Sequence, residues 1–201
     1  MNESPSHPRI EFRSRQAIRD WLRANHATGK TFWLVTFKKH VSEHHVPYGD
    51  IVAELLCYGW IDSRTRRVDD DRTMLLVAPR KAGSTWSASN KKRVAELTKK
   101  GLITVAGQRK VDAARKDGSW SYLDDVEKLI VPDDLAAAFA NNKTAKKNYE
   151  AFTASSRKII LYWIKSAKRK TTRAKRIDET VRLAAKNVKA AHGDSLRKHV
   201  R

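Results

Sequence analysis

The stretch Gly59-Trp60-Ile61-Asp62-Ser63-Arg64-Thr65-Arg66-Arg67 sets one carboxylate among three guanidiniums beside an indole. On a strand, successive side chains alternate, so Trp60, Asp62, Arg64 and Arg66 are expected to point one way. An aspartate so placed stays ionised and orients its arginines. Such a row lines a pocket for an anionic or carbonyl-bearing small ligand, or it is an ion-pair ladder that fixes a hairpin. The hairpin itself is read from a second extended run, Arg72 to Ala78, across the triplet Asp69-Asp70-Asp71. With Val68 facing Arg72, Asp62 falls opposite Ala78 and diagonal to Arg80, within reach of a long side chain.

A second constellation is Arg80-Lys81-Ala82-Gly83-Ser84-Thr85-Trp86-Ser87-Ala88-Ser89-Asn90-Lys91. Two cations, a permissive glycine and several hydroxyls precede a helix expected over 90–100. These are the ingredients of an anion site, because free backbone N–H groups and the helix dipole both point there. The candidate ligand residues are Arg80, Lys81, Ser84, Trp86, Ser87 and Asn90. The Gly-x4-Gly-Lys-Ser/Thr spacing of a nucleotide-binding loop is absent, and helix capping accounts for the serines equally well. Trp86 either packs inward or offers a stacking face.

A third feature is the placement of charge. The chain carries 42 Lys and Arg against 22 Asp and Glu, a net +20, and residues 142–201 hold 18 of those bases but only 4 of the acids. Nine bases and no acid lie between Arg157 and Arg176. If one helix ran through, Lys165, Arg169, Arg173 and Arg176 would share a face; a break near Thr171 gathers Lys168, Arg169, Arg173 and Arg176 around a corner instead. One reading is a surface for phosphate groups, including nucleic acid bound without sequence specificity. The other is a solvated helical face. No zinc-finger spacing or aromatic RNA-reader signature accompanies the charge.

Metal and nucleophilic chemistry find less support. His40, His44 and His45 lack a suitably placed carboxylate pair, so neither a metal nor a cofactor is expected. Cys57 sits among apolar neighbours in an expected helix, as inert filling. No Gly-x-Ser-x-Gly elbow is present, and Asp62 is the single candidate for acid/base work.

The elements that must position these groups read as α+β, mostly helical with a small, largely antiparallel β-sheet. Helices are expected over 15–25 capped by Ser14, 51–58 capped by Asp50, 90–100 and 105–116. Others follow over 135–141 capped by Asp133, from Thr144 to 152, from Ser155 or Ser156 to 168, and over 172–191. Thr31 to Phe37 suits an internal strand, and Ile159 to Ile164, apolar nearly all round, suits a central core helix. Two hundred and one residues suffice for one domain over 12–192, between a flexible arm over 1–11 and a frayed tail over 193–201. The longest apolar runs are six residues, as in Ile159 to Ile164, so no membrane span is expected. The N-terminal residues do not read as a secretory signal, and the expected place is the cytoplasm.

Gly59-Trp60-Ile61-Asp62-Ser63, Arg80-Lys81 with Ser84-Thr85-Trp86-Ser87 and Asn90, Gly101 and Gly107, and Ala167-Lys168-Arg169 with Thr172-Arg173 and Arg176-Ile177 together resemble the YdeI/OmpD-associated, bacteriocin-protection family, from about Phe12 to Leu183. The resemblance implies a role in tolerance of antimicrobial peptides or stress, and brings no reaction and no catalytic set. It also suggests a periplasmic place, against the absent signal. Its motifs fall on the hairpin, the loop before the helix and the corner near Thr172. The expectation is that these converge into one basic, Trp-lined pocket, with Asp62 orienting Arg64 or Arg80. The resulting reading is a non-enzymatic anion-binding protein whose ligand is a phosphorylated metabolite or nucleic acid. Two alternatives stay open: a small-molecule enzyme using Asp62 with the arginines, and an interaction module whose basic C-terminal helices dock an acidic protein.

Overall fold

Ser14 ends an extended segment, and its Oγ accepts the Ala17 N–H at 3.1 Å, so α1 (Arg15–Asn25) begins where a hydroxyl satisfies one of the first free amides. The computed structural model describes residues 7–191. The chain divides into two compact units, residues 1–121 and 122–201; the expected tail over 193–201 lies outside the described residues.

In the first unit the order is β1 (Arg9–Glu11), α1, a 3-10 turn (His26–Thr28), β2 (Phe32–Phe37), α2 (Tyr48–Cys57), β3 (Trp60–Arg67), β4 (Arg72–Pro79), α3 (Ala88–Lys99) and α4 (Val105–Lys116). The sheet runs β1-β2-β4-β3, with β1 parallel to β2 and the other neighbours antiparallel. The fold is α+β. Residues 9–11, read from sequence as part of the arm, pair with Trp33, Leu34 and Val35. A three-residue strand beside charged neighbours leaves too short an alternation to be recognised.

Ile18 and Leu22 of α1, Leu55 and Leu56 of α2, and Leu34, Trp60, Leu75 and Val77 of the sheet share one core. Its centre is aromatic: the Trp21 and Phe32 rings are 4.3 Å apart, and Trp60 meets both edge-on at 6.0 and 5.9 Å. Each such pair adds about 0.5–1.5 kcal/mol beyond the area it buries. Helices α1 and α2 are further joined by Glu54, 1% exposed, which accepts from Arg15 Nε at 2.7 Å and Arg19 Nη1 at 2.8 Å.

Two local expectations change. Helix α2 starts at Tyr48, after Pro47, where a fixed φ favours helix entry; Asp50 lies inside the first turn and pairs with Arg15 at 2.8 Å instead of capping. In the hairpin, Val68 N does donate to Arg72 O, but a bulge sets Ser63 and Arg64 against Leu76, so Asp62 faces Val77 and not Ala78. The extra residue breaks the alternation. Arg66 pairs with Met74 and lies 5.3 Å from the Trp33 ring centroid, with the Trp33, Val35, Met74 and Leu76 cluster. Trp60 and Asp62 keep to the face of Val77. The expected single row of Trp60, Asp62, Arg64 and Arg66 is therefore split.

The second unit contains α5 (Asp124–Glu127), α6 (Asp133–Ala140), α7 (Lys143–Ala151), α8 (Ala154–Lys165) and α9 (Lys170–Ala185). Asn142 caps α7 through the Ala145 N–H at 2.9 Å, and Thr153 caps α8 through Ser156 N at 3.3 Å. Pro132 occupies the cap position of α6, with Asp133 inside the helix. Ile160, Leu161 and Ile164 of α8 pack with Leu135, Phe139, Tyr149, Ile177 and Ala184, as expected of a core helix. The break between α8 and α9 spans 166–169, earlier than the expected Thr171.

Candidate functional site

Two glycines build the most unusual place in the first unit. Gly59, at φ +73°, joins α2 to β3, and a Cβ there would meet Lys110 Cγ at 2.6 Å. Gly107, inside α4, passes so near the end of α2 that a Cβ would overlap Cys57 O and lie 2.8 Å from Leu56 O. Thr104 N and Oγ1 both donate to Cys57 O, at 3.0 and 2.7 Å. Helix α4 is thus seated on the end of α2, and Arg80 N donates to Gly59 O at 2.9 Å at the same junction.

Arg80 is 2% exposed and Trp86 1%. The guanidinium carbon lies 3.8 Å from the Trp86 ring centroid, a stacked cation–π contact. Nη1 donates to Thr85 O at 2.9 Å. Arg80 Nε, Arg80 Nη2 and Trp86 Nε1 are all buried without a hydrogen-bond partner among the described residues. Burial pushes the guanidinium down to about 10, with Asp62 opposing the shift, so Arg80 remains charged at neutral pH. A buried donor left unpaired costs about 1–3 kcal/mol, more when it is charged.

Arg80 and Trp86 line a cleft of about 60 Å³ with Lys81, Gly83, Ser84, Lys110, Asp117 and Ser119. Asp117 ends α4 and accepts from Ser119 N at 2.9 Å and Gly83 N at 3.1 Å. Hydrogen bonding by Ser119, and then by Gly83, holds its carboxyl below the usual range. Three cations and one carboxylate therefore contribute to the lining.

The other sequence candidates in this unit take separate places. Trp60, 1% exposed, is core, and its Nε1 donates to His26 O at 3.2 Å. Asp62 accepts from the Tyr48 hydroxyl at 2.9 Å. Arg64 is exposed at the bulge. Ser84 Oγ closes the turn onto Lys81 O at 2.7 Å, and Ser87 Oγ caps α3 by accepting from Asn90 N at 3.3 Å. These two serines have the local roles that capping and turns require.

In the second unit, Arg173 Nε and Nη2 grip Asp134 at 2.6 and 2.8 Å, and Arg176 Nη1 donates to Trp163 O and, at 3.0 Å, to Ser166 Oγ. Both arginines stand near the end of α8, where free carbonyls attract cations. Lys158 and Lys165 pair with Glu127 and Asp125, each at 2.6 Å. Lys168 and Arg169 are exposed in the corner.

Residues 10–110, half of the chain, match the model of a domain of unknown function (DUF8412), and residues 128–187 match the family described as bacteriocin-protection, YdeI or OmpD-associated. The chain belongs to the first of these families, and its residues 128–187 are similar to the second. No curated protein and no solved structure matches it. The bacteriocin-protection match covers α6 to α9. The motifs around Trp60, Arg80 and Gly107 lie in the stretch matched by the other model.

Of the residues chosen from sequence, the cleft brings together Arg80, Lys81, Ser84 and Trp86. It adds Lys110, Asp117 and Ser119, about thirty residues further on, which local motif reading missed. The available signal was Gly107: a glycine in a helix interior is unfavourable by roughly 0.5–1 kcal/mol, and close packing against another backbone is a reason to keep it.

Proposed function

We propose that this protein binds a small anion in the Arg80 cleft, and that this binding underlies a role in stress or antimicrobial-peptide tolerance. The observation that carries the reading is the buried, charged Arg80 whose Nε and Nη2 have no partner among the described residues. An oxyanion supplies the missing acceptors and a hydrogen-bonded counter-charge, whereas Asp62 acts on Arg80 only through space. The tolerance role rests on the bacteriocin-protection family, and a cytoplasmic setting on the sequence reading alone. No described helix is long and apolar enough to cross a membrane.

The cleft is favoured over the C-terminal run as the anion site. Four of that run's cations, Lys158, Lys165, Arg173 and Arg176, are engaged inside their own unit, while Lys168, Arg169, Lys170 and Lys175 are exposed. Nucleic acid is therefore the weaker candidate ligand.

The experiment is thermal unfolding of wild type and Arg80→Met at constant ionic strength, with phosphate or acetate replacing chloride. Ligand at about a hundred times Kd stabilises by about 2.7 kcal/mol. Wild type should gain several degrees in Tm and the variant none. Equal gains in both would mark a general salt effect and remove Arg80 from the account.

A further inference from the structure

The composition of the cleft says more about its ligand than the orphaned donors alone. Arg80, Lys81 and Lys110 stand against Asp117 as the only acid in the lining. The Asp117 oxygens are already taken up as acceptors for Ser119 N and Gly83 N. A monoanion balances half of the resulting excess charge, and a dianion balances all of it. The volume, about 60 Å³, is that of roughly four water-sized spheres. That accommodates one tetrahedral oxyanion. The free Nε and Nη2 of Arg80 form the same edge by which Arg173 holds the two oxygens of Asp134. That edge suits two oxygens of one planar or tetrahedral group.

We infer that the group bound in the Arg80 cleft is a phosphate dianion, either inorganic phosphate or the terminal monoester of a small phosphorylated molecule. This rests on the anion-binding reading above and narrows it. A phosphate monoester carries a charge of about −1.5 to −2 at neutral pH, whereas the diesters of a nucleic-acid backbone carry one. The same charge count that favours a terminal phosphate thus disfavours a polynucleotide. Arg80 supplies the paired donors, Trp86 fixes the guanidinium plane by stacking and adds its Nε1–H, and Lys110 and Lys81 supply the charge that distinguishes a dianion. Because Nε and Nη2 are fully buried, the oxygens reach them with a local shift of the lining. Its least packed part is the exposed turn Lys81-Ala82-Gly83, from which the remainder of a monoester would project.

The test is isothermal titration of wild type, Lys110→Met and Lys81→Gln with inorganic phosphate, methyl phosphate, dimethyl phosphate and acetate, at fixed ionic strength and pH 7.5. Melting curves establish that each variant is folded, and Lys81, being exposed, keeps the test usable if Lys110→Met is not. Phosphate or methyl phosphate should bind wild type at least tenfold more tightly than dimethyl phosphate or acetate. Each lysine variant should narrow that ratio several-fold. Preference for methyl phosphate identifies a monoester as the source, and preference for inorganic phosphate identifies the free ion. Acetate or dimethyl phosphate binding as tightly as phosphate would overturn the dianion and leave the anion site standing. Failure of all four to bind wild type would overturn both.

Discussion

The Arg80 guanidinium lies 3.8 Å from the Trp86 ring centroid, and the two side chains, each buried, hold three donor nitrogens that meet no acceptor among the described residues. Stacking on an indole accounts for how a weakly hydrated guanidinium tolerates burial. It does not account for the unused donors. Arg173 shows in the same chain how that edge is ordinarily filled, by the two oxygens of Asp134. The contrast separates an arginine that fastens helices from one kept available.

Arg173→Ala should lower stability by about 0.5–1 kcal/mol, because Arg173 and Asp134 are 29% and 46% exposed and solvent screens the pair. It should leave the anion-induced Tm gain unchanged. The Arg173 hydrogen bond holds the Asp134 carboxyl below its usual range. The pair therefore stabilises fully above the unfolded carboxylate pKa of about 4 and ceases to do so as pH falls through the lower folded value. Urea midpoints measured from pH 7 to pH 2 should show a shallower acid decline in Arg173→Ala than in wild type.

Gly107→Ala should destabilise the first unit by about 1–3 kcal/mol or more, since its Cβ would overlap the Cys57 carbonyl and α4 would have to lift from α2. Lys110, Asp117 and Ser119 ride on or next to that helix, so anion affinity should fall together with the urea midpoint. Loss of neither would show that α4 is free to adjust and does not set the cleft.

The legible parts of this fold are those governed by neighbours in sequence. The expected spans of α1, behind the Ser14 hydroxyl, and of α4 are the observed ones, and α3 begins two residues before its expected start. The hairpin follows from the aspartate turn. The bulge at Ser63 and Arg64 was not legible, because a one-residue insertion leaves no mark in composition and shows only in the pairing with β4, where it moves Arg66 to the other face. Arg80 and Trp86 could be nominated as a cation and an aromatic near a helix start; their stacking and burial depend on α4, which local patterning does not place. The ion pairs of the basic corner were hidden for a related reason: Asp134 and Asp125, the partners of Arg173 and Lys165, lie about forty residues earlier in the chain.

Tyr149, 1% exposed, keeps its hydroxyl buried without a partner among the described residues, and burial pushes its phenol up to about 12 against the opposing charge of Arg157. Between pH 10 and that value the unfolded chain releases the proton and the folded one retains it, so stability declines as pH rises through this window. Tyr149→Phe should be neutral or up to about 1 kcal/mol more stable at pH 7, and should flatten the alkaline decline measured by denaturant titration from pH 9 to pH 12. A strongly destabilised variant would reveal a bonded hydroxyl.

The central claim is that Arg80 meets an anion, and the most direct measurement is the NMR signal of its own Nε–H, observed in the intact protein during a phosphate titration and assigned with Arg80→Met. The account predicts a saturating shift of that resonance, at the affinity found by calorimetry, with the Arg173 Nε–H unmoved. An Arg80 signal that stays fixed while phosphate perturbs only exposed lysines and arginines would contradict it.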